Sequence, residues 1–291
     1  MPSPNIPDFD ALWDYSHPDK SEEKFREIIL HIPEDDPAYL ELLTQIARAQ
    51  GLQRKFDRAD QTLDQVEKRL SEFPSRAKVR YLLERGRVCN SSQKPEQARP
   101  FFEQALDLAK QLSEDFYAVD AIHMLAIISS TDQALALNLD AIQMAESSSQ
   151  ERAQNWLGSL YNNTGWSYHD LGNYAAALEI FEKAEAWQRS KGRVSQTRIA
   201  TWTVARTLRS LNRVEEALSK QLALRDELDS AGEEDDGFVV EEIGECLLAL
   251  NRLDEAHPFF EKAYAILSKD AWRVEQEPDR LARLKALARE T

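Results

Sequence analysis

Apolar positions recur along most of this chain at intervals of three and four residues, the period of a helix with one buried face. Within that stripe, small and large residues follow a fixed order. Gly86-Ala98-Phe102-Ala105, Gly165-Ala177-Phe181-Ala184 and Gly244-Ala256-Phe260-Ala263 share one spacing, each copy 79 residues after the last. Weaker copies, Ala47-Ala59-Leu63-Val66 and Ala205-Ala217-Gln221-Leu224, fall between them and reduce the unit to 39–40 residues. A damaged copy, Ala134-Asn138-Ala141, follows Ala126 by only eight residues and predicts one shortened turn in mid-chain. Self-similarity at a fixed period marks a repeat architecture.

Helix geometry turns the spacing into packing. Ala177, Phe181 and Ala184 lie on one face of a helix, and Tyr161, Gly165 and Tyr168 on one face of the helix before it. Small residues allow close approach of the two backbones while large ones fill the remaining space. Between the stripes stand Leu171-Gly172-Asn173-Tyr174, Leu211-Asn212-Arg213-Val214 and Leu250-Asn251-Arg252-Leu253, where Gly or Asn can take the left-handed conformation that ends a helix. Each unit is therefore expected to be two antiparallel helices joined by a tight turn.

The run from Leu160 through Asn163, Gly165, Trp166 and Tyr168, followed by Leu171, Gly172, Tyr174, Ala177, Phe181 and Ala184, resembles a tetratricopeptide repeat. The resemblance covers roughly residues 38–268. It implies an all-α fold, a right-handed α-α superhelix of about seven helical hairpins plus a C-terminal capping helix. The usual unit of that family is about 34 residues, so the longer unit here implies longer helices and a changed pitch. The resemblance further implies an N-terminal capping hairpin over 1–37, the repeat array over 38–268 and a C-terminal capping helix over 269–291, as one continuous solenoid.

The ends are consistent with caps. Residues 1–8 carry three prolines and are expected to be irregular. Phe9, Leu12 and Trp13 predict a short first helix, and Phe25, Ile28 and Ile29 a second one ending before Pro33. Pro278 can start a last helix whose stripe is Leu281, Leu284, Leu287 and Ala288. Trp13, Trp156, Trp187 and Trp272 are expected to pack rather than recognise a ligand.

Composition narrows the function classes. The formal charge of -15 disfavours nonspecific binding to nucleic acid or anionic membranes. No run of 18 apolar residues predicts a membrane span, and no basic region followed by an apolar run predicts a secretory signal. Cys89 and Cys246 lie far apart in the array and are expected to stay free thiols, consistent with a reducing, cytoplasmic location. The acidic run Glu233-Glu234-Asp235-Asp236 is expected to be a solvated loop between repeats.

What differs between copies at one register is where function would be written. The resemblance places the groove of such a solenoid on the first helix of each repeat. On that face the register gives Thr44 and Arg48, then Arg80, Arg87 and Asn90, then Asn162, Trp166 and His169, then Trp202, Arg206 and Arg209, and finally Glu241 and Glu245. Arginine recognises carboxylate or phosphate through paired hydrogen bonds, and aromatic rings add stacking area. One reading is a groove for an acidic or C-terminal peptide segment. The other is that these arginines pair with acids such as Glu41, Glu84, Glu241 and Glu245. Some members of the family clamp a C-terminal carboxylate with Lys, Asn and Arg. Asn162 and Arg206 resemble part of that clamp, but Trp166 stands where a second asparagine would be wanted and lysine is missing.

A histidine chemistry can also be drawn, because Asp120 and His123 share a helical face and His169-Asp170 could approach from the next repeat. No HExxH, cysteine cluster, GxGxxG or phosphate-cradling loop accompanies it. The expectation is a non-catalytic adaptor or scaffold without cofactor or metal, holding a protein or peptide partner in its groove, as a monomer or a homodimer through the terminal caps. A regulatory sensor whose pitch responds to a ligand is the alternative, and a histidine- or metal-dependent enzyme the remote one.

Overall fold

The computed structural model describes residues 8–71 and 75–288. Residues 1–7 of the irregular N-terminal stretch, and the last three residues of the expected capping segment, lie outside the described residues. The chain divides into two compact units, Met1–Leu160 and Tyr161–Thr291. Among the described residues all regular structure is helical.

In the first unit a 3-10 turn, Phe9–Leu12, precedes α1 (Pro18–Ile29), α2 (Pro37–Leu52), α3 (Phe56–Glu67), α4 (Arg76–Ser91), α5 (Pro95–Gln111), α6 (Asp115–Ile127), α7 (Thr131–Ser147) and α8 (Glu151–Gln154). Then come α9 (Leu157–Asp170), α10 (Tyr174–Ser190), α11 (Val194–Ser210), α12 (Val214–Ser230), α13 (Gly237–Ala249), α14 (Leu253–Leu267), α15 (Ala271–Gln276) and α16 (Pro278–Leu287). The two short N-terminal elements and the start at Pro278 agree with the sequence expectation. The helix pairs α2–α3, α4–α5, α6–α7, α11–α12 and α13–α14 pack as hairpins, and α2 also packs directly on α4.

The repeated signature is the core of each hairpin. Ala98, Phe102, Ala105, Ala177, Phe181, Ala256 and Ala263 are all fully buried. The opposing small residue is matched in size to its partner. Glycine faces phenylalanine at Gly86–Phe102, Gly165–Phe181 and Gly244–Phe260. In the weaker copies alanine replaces glycine, and the large position holds Leu63 or Gln221, both fully buried. A Cβ on Gly86 would collide with the Phe102 ring, whereas one on Gly244 would lie 3.0 Å from the Phe260 ring. Overpacking costs roughly 1–3 kcal/mol, and alanine is favoured over glycine inside a helix by about 1 kcal/mol. Gly86→Ala is therefore expected to destabilise by about 1–2 kcal/mol and Gly244→Ala to be near neutral; urea melts giving equal losses would contradict this size matching.

Hairpin turns share one backbone solution. Gly172, Asn212 and Asn251 adopt positive φ, as their residue types foretold, but so do Arg54, Gln93 and Ser113. The residue after each donates its N–H five residues back, as in Asn173 to Tyr168 O at 2.9 Å and Lys94 to Cys89 O at 2.9 Å. This bonding satisfies helix-end carbonyls, and the hairpin keeps the geometry even where a side chain makes it costly. The shortened turn is Ile128–Ser130, with negative φ at Ile128 and Ser130. In α7 the buried residues are Asn138, Ala141, Ile142 and Ala145, while Ala134 stays only partly covered.

The acidic run 233–236 is more than a solvated loop. Glu233 pairs with Arg198, Asp235 pairs with Arg225 and Lys262, and Asp236 caps α13 by accepting the Phe238 N–H at 2.7 Å. Both cysteines are free, and burial pushes the Cys246 thiol up to about 12.

Candidate functional site

Two walls carry the residues singled out by register, one in each unit. In the first unit α2, α4 and α6 present Arg48, Arg80, Arg87 and Asp120 around a cavity of about 390 Å³. These arginines are already engaged. Glu84, 3% exposed, accepts from Arg48 at 3.2 Å and Arg87 at 2.6 Å. Arg87 also forks onto both oxygens of Asp120 at 2.5 Å. Arg80, 5% exposed, lies 3.2 Å from Glu41 and donates to Asp10 at 2.8 Å.

Asp10 is the residue that register could not supply. It sits in the N-terminal 3-10 turn and accepts from Arg80 and from Arg152 of α8. Burial works against its ionised form, yet the two guanidiniums hold the carboxyl below its ordinary value. Trp13 follows it inward, donating Nε1–H to Gln45 at 3.0 Å and stacking on Tyr15 at 4.9 Å. Arg152 lies over the Phe116 ring at 4.2 Å, and Arg80 over Tyr117 at 5.1 Å. Trp156, expected to serve packing, lines this cavity.

The second wall is built by α9, α11 and α13. Trp166, Trp202 and Phe238 form a ladder of rings with centroids 6.2 and 5.9 Å apart, one ring from each first helix. Trp202 is fixed by its Nε1–H bond to Phe238 O at 3.0 Å, and Trp166 meets Phe181 edge-on at 5.2 Å. Beside the ladder run His169, Arg206 and Arg209. His169 Nε2 lies 2.9 Å from Ser210 Oγ, which also accepts from Arg206 at 2.8 Å. Arg209 grips Glu242, while Arg206 approaches the same carboxylate at 3.6 Å. Burial raises the Glu242 carboxyl above its ordinary value, with the two guanidiniums pulling the other way. Asn162 is half-buried on α9, one turn before Trp166.

Glu241 and Glu245 do not pair with Arg206 or Arg209. Each is held by an arginine of the last helix, Glu241 by Arg280 and Glu245 by Arg283. These acids at the end of the face are thus neutralised by α16, whose arginines the repeat register does not reach. Arg280 and Arg273 also lie over the Phe238 ring, at 5.2 and 4.5 Å. Trp272, expected to pack in the cap, is 59% exposed.

The pairing drawn between Asp120 and His123 is replaced by Asp120–Arg87. His123 rests against the Trp156 ring at 5.1 Å, and burial lowers its proton affinity. His169 is likewise shifted down, by burial and then by Arg206. Both shifts favour the neutral ring. Among the described residues no group of three His, Cys, Asp or Glu is placed to hold a metal ion, and no helix is long and apolar enough to cross a membrane.

Comparison with known proteins agrees with the fold. The tetratricopeptide repeat model matches residues 79–112 and 152–191. No curated protein sequence matches the chain. Among solved structures the apo form of RapI superposes with a TM-score of 0.73 at 11% identity, over 90% of this chain and 76% of that one. A signal transduction ATPase with a tetratricopeptide repeat sensor from Pyrococcus horikoshii gives 0.66 at 14% identity, covering 92% of this chain and 44% of that longer one. The apo quorum sensor NprR from B. thuringiensis gives 0.62 at 15%, covering 94% and 77%. Residues 79–112 and 152–191 are thus similar to tetratricopeptide repeats, and the chain shares its fold of helical hairpins with solved structures of 11–15% identity.

Proposed function

We propose that the chain is a non-catalytic interaction protein that holds a peptide or protein segment along the α9–α11–α13 wall. The observation that carries this reading is the ring ladder Trp166–Trp202–Phe238 lying beside a charge surplus, where Arg206 and Arg209 share the single carboxylate of Glu242. Arg206 makes the longer contact of the two, so it is the guanidinium most able to turn to an incoming carboxylate. The segment is accordingly acidic with an apolar or aromatic neighbour. Arg48, Arg80 and Arg87, expected in the same groove, contribute less to this wall because they lie in the other unit and acids there already hold them.

A hydrogen bond to a charged partner is worth about 1.5–3 kcal/mol, or roughly tenfold to a hundredfold in affinity. Arg206→Ala together with Trp166→Phe, which keeps a ring against Phe181, is expected to reduce capture of acidic-aromatic peptides at least tenfold with helicity unchanged. Equal capture by both proteins on a peptide array would rule this wall out.

A second reading is a sensor that responds to a peptide. It is favoured by two structurally similar proteins, one named a quorum sensor and the other carrying its repeats as a sensor. Small-angle scattering with and without the bound peptide separates the two, since only the sensor changes dimensions. In either case the free, buried thiol of Cys246 suits a reducing, cytoplasmic setting.

A further inference from the structure

The cavity of the first unit has a composition that ordinary core packing does not explain. Four guanidiniums line it, those of Arg48, Arg80, Arg87 and Arg152, against three carboxylates, Asp10, Glu84 and Asp120. Four polar atoms of its lining residues are buried without a hydrogen-bond partner among the described residues, Arg48 Nε, Arg80 Nε, Tyr117 Oη and Trp156 Nε1, although Arg80 Nε lies 3.2 Å from the Glu41 carboxylate. Each carries a hydrogen to donate, and three of them can only donate. Tyr117 is 3% exposed, so its hydroxyl has no solvent to turn to. Buried polar groups are ordinarily paired, and a set of unpaired donors on one cavity calls for an acceptor inside it.

One acceptor is already present, brought from far along the chain. Asp10 reaches Arg80 and Arg152 from the N-terminal turn, where Phe9 is buried and Trp13 is tied to Gln45. The turn thus presents a carboxylate beside an aromatic ring to a two-arginine clamp. Phe9 and Trp13 anchor the turn independently of the acid.

We propose that this cavity is a binding site for a carboxylate-bearing ligand, and that Asp10 is an internal occupant of its Arg80–Arg152 clamp. An incoming carboxylate takes the place of Asp10 on the two guanidiniums and accepts from Tyr117 Oη. Residues 8–15 and the ligand therefore compete for the same arginines. The carboxylate can belong to a small free acid or to an acidic residue of a peptide; the chemistry at the clamp is the same. This inference does not rest on the reading of the second unit.

The test uses the full chain and two probes, N-acetylaspartate and a peptide with the sequence of residues 8–15, Asp-Phe-Asp-Ala-Leu-Trp-Asp-Tyr, each titrated by calorimetry. Asp10→Asn is expected to bind at least one probe tenfold or more tighter than the unaltered chain. In that background Arg152→Ala abolishes the gain. Tyr117→Phe weakens it several-fold while leaving the thermal midpoint unchanged or higher, since it removes a hydroxyl that has no partner in the free protein. Binding of N-acetylaspartate identifies a small-acid site, and binding of the octapeptide alone identifies a peptide site. The proposal fails if Asp10→Asn binds neither probe, or if binding ignores both Arg152→Ala and Tyr117→Phe. Where Asp10→Asn does not give folded protein, the same comparison is made with Tyr117→Phe and Arg152→Ala in the otherwise unaltered chain. There, probe binding that both substitutions leave equal overturns the site, and binding that both weaken supports it.

Discussion

Glu84→Gln is expected to lower the stability of the first unit by about 3 kcal/mol. The side chain keeps its shape but loses the charge that Arg48 and Arg87 share. Removing one partner of a buried ion pair costs about 3–5 kcal/mol because the remaining charge stays buried and unpaired. The lower end applies here, since Arg87 retains Asp120 and Arg48 keeps a quarter of its side chain in contact with solvent. Urea denaturation followed by circular dichroism measures the loss. Pairing Glu84→Gln with Arg48→Gln should lose less than the two single changes combined, because the second change removes a charge the first has stranded. A loss below about 1 kcal/mol for Glu84→Gln would show that the arginine network contributes little to folding.

The second large effect concerns the hairpin core of the other unit. Phe181→Ala is expected to cost about 3–5 kcal/mol, the range for truncating a fully buried phenylalanine. The more telling measurement is a change of sign. A Cβ added at Gly165 would run into the Phe181 ring, so Gly165→Ala should destabilise the otherwise unaltered chain by roughly 1–2 kcal/mol, the overpacking being offset in part by helix propensity. With Phe181 already replaced by alanine the obstruction is gone. Gly165→Ala should then stabilise by up to about 1 kcal/mol through helix propensity. A cost that persists in the Phe181→Ala background would mean that something other than the ring demands glycine there.

These contrasts explain what could be read from the sequence. Gly86, Gly165 and Gly244 were legible because a close approach selects a small residue and fixes its large partner at a constant spacing. The turns at Gly172, Asn212 and Asn251 were legible for a similar reason, as positive φ selects their side chains. Arg54, Gln93 and Ser113 adopt the same conformation under the demands of the hairpin, which no residue type announces. At the candidate site residues that share the register lie side by side, Trp166 with Trp202, and His169 with Arg206 through Ser210. It did not supply the counter-ions. Glu242 holds Arg209 from a helix 33 residues on, and Asp10 meets Arg152 across 142 residues. Periodicity describes which face a residue occupies and says nothing about which distant charge will meet it. Arg280 and Arg283 escaped notice because they belong to a helix outside the repeat pattern.

The separation between ion-pair partners has one more implication. Arg48–Glu84, Arg87–Asp120 and Arg209–Glu242 each join one hairpin to the next helix of its own unit, and Arg283–Glu245 joins the α13–α14 hairpin to α16, at sequence separations of 36, 33, 33 and 38 residues. The apolar core inside each hairpin is nearly interchangeable from copy to copy, but the charges between hairpins are keyed to particular neighbours. Swapping the order of two hairpins would preserve every Gly–Phe contact while leaving arginines facing the wrong residues. The chain is thus modular in shape and ordered in charge, so recombination of its repeats would be limited by electrostatics well before it was limited by fit.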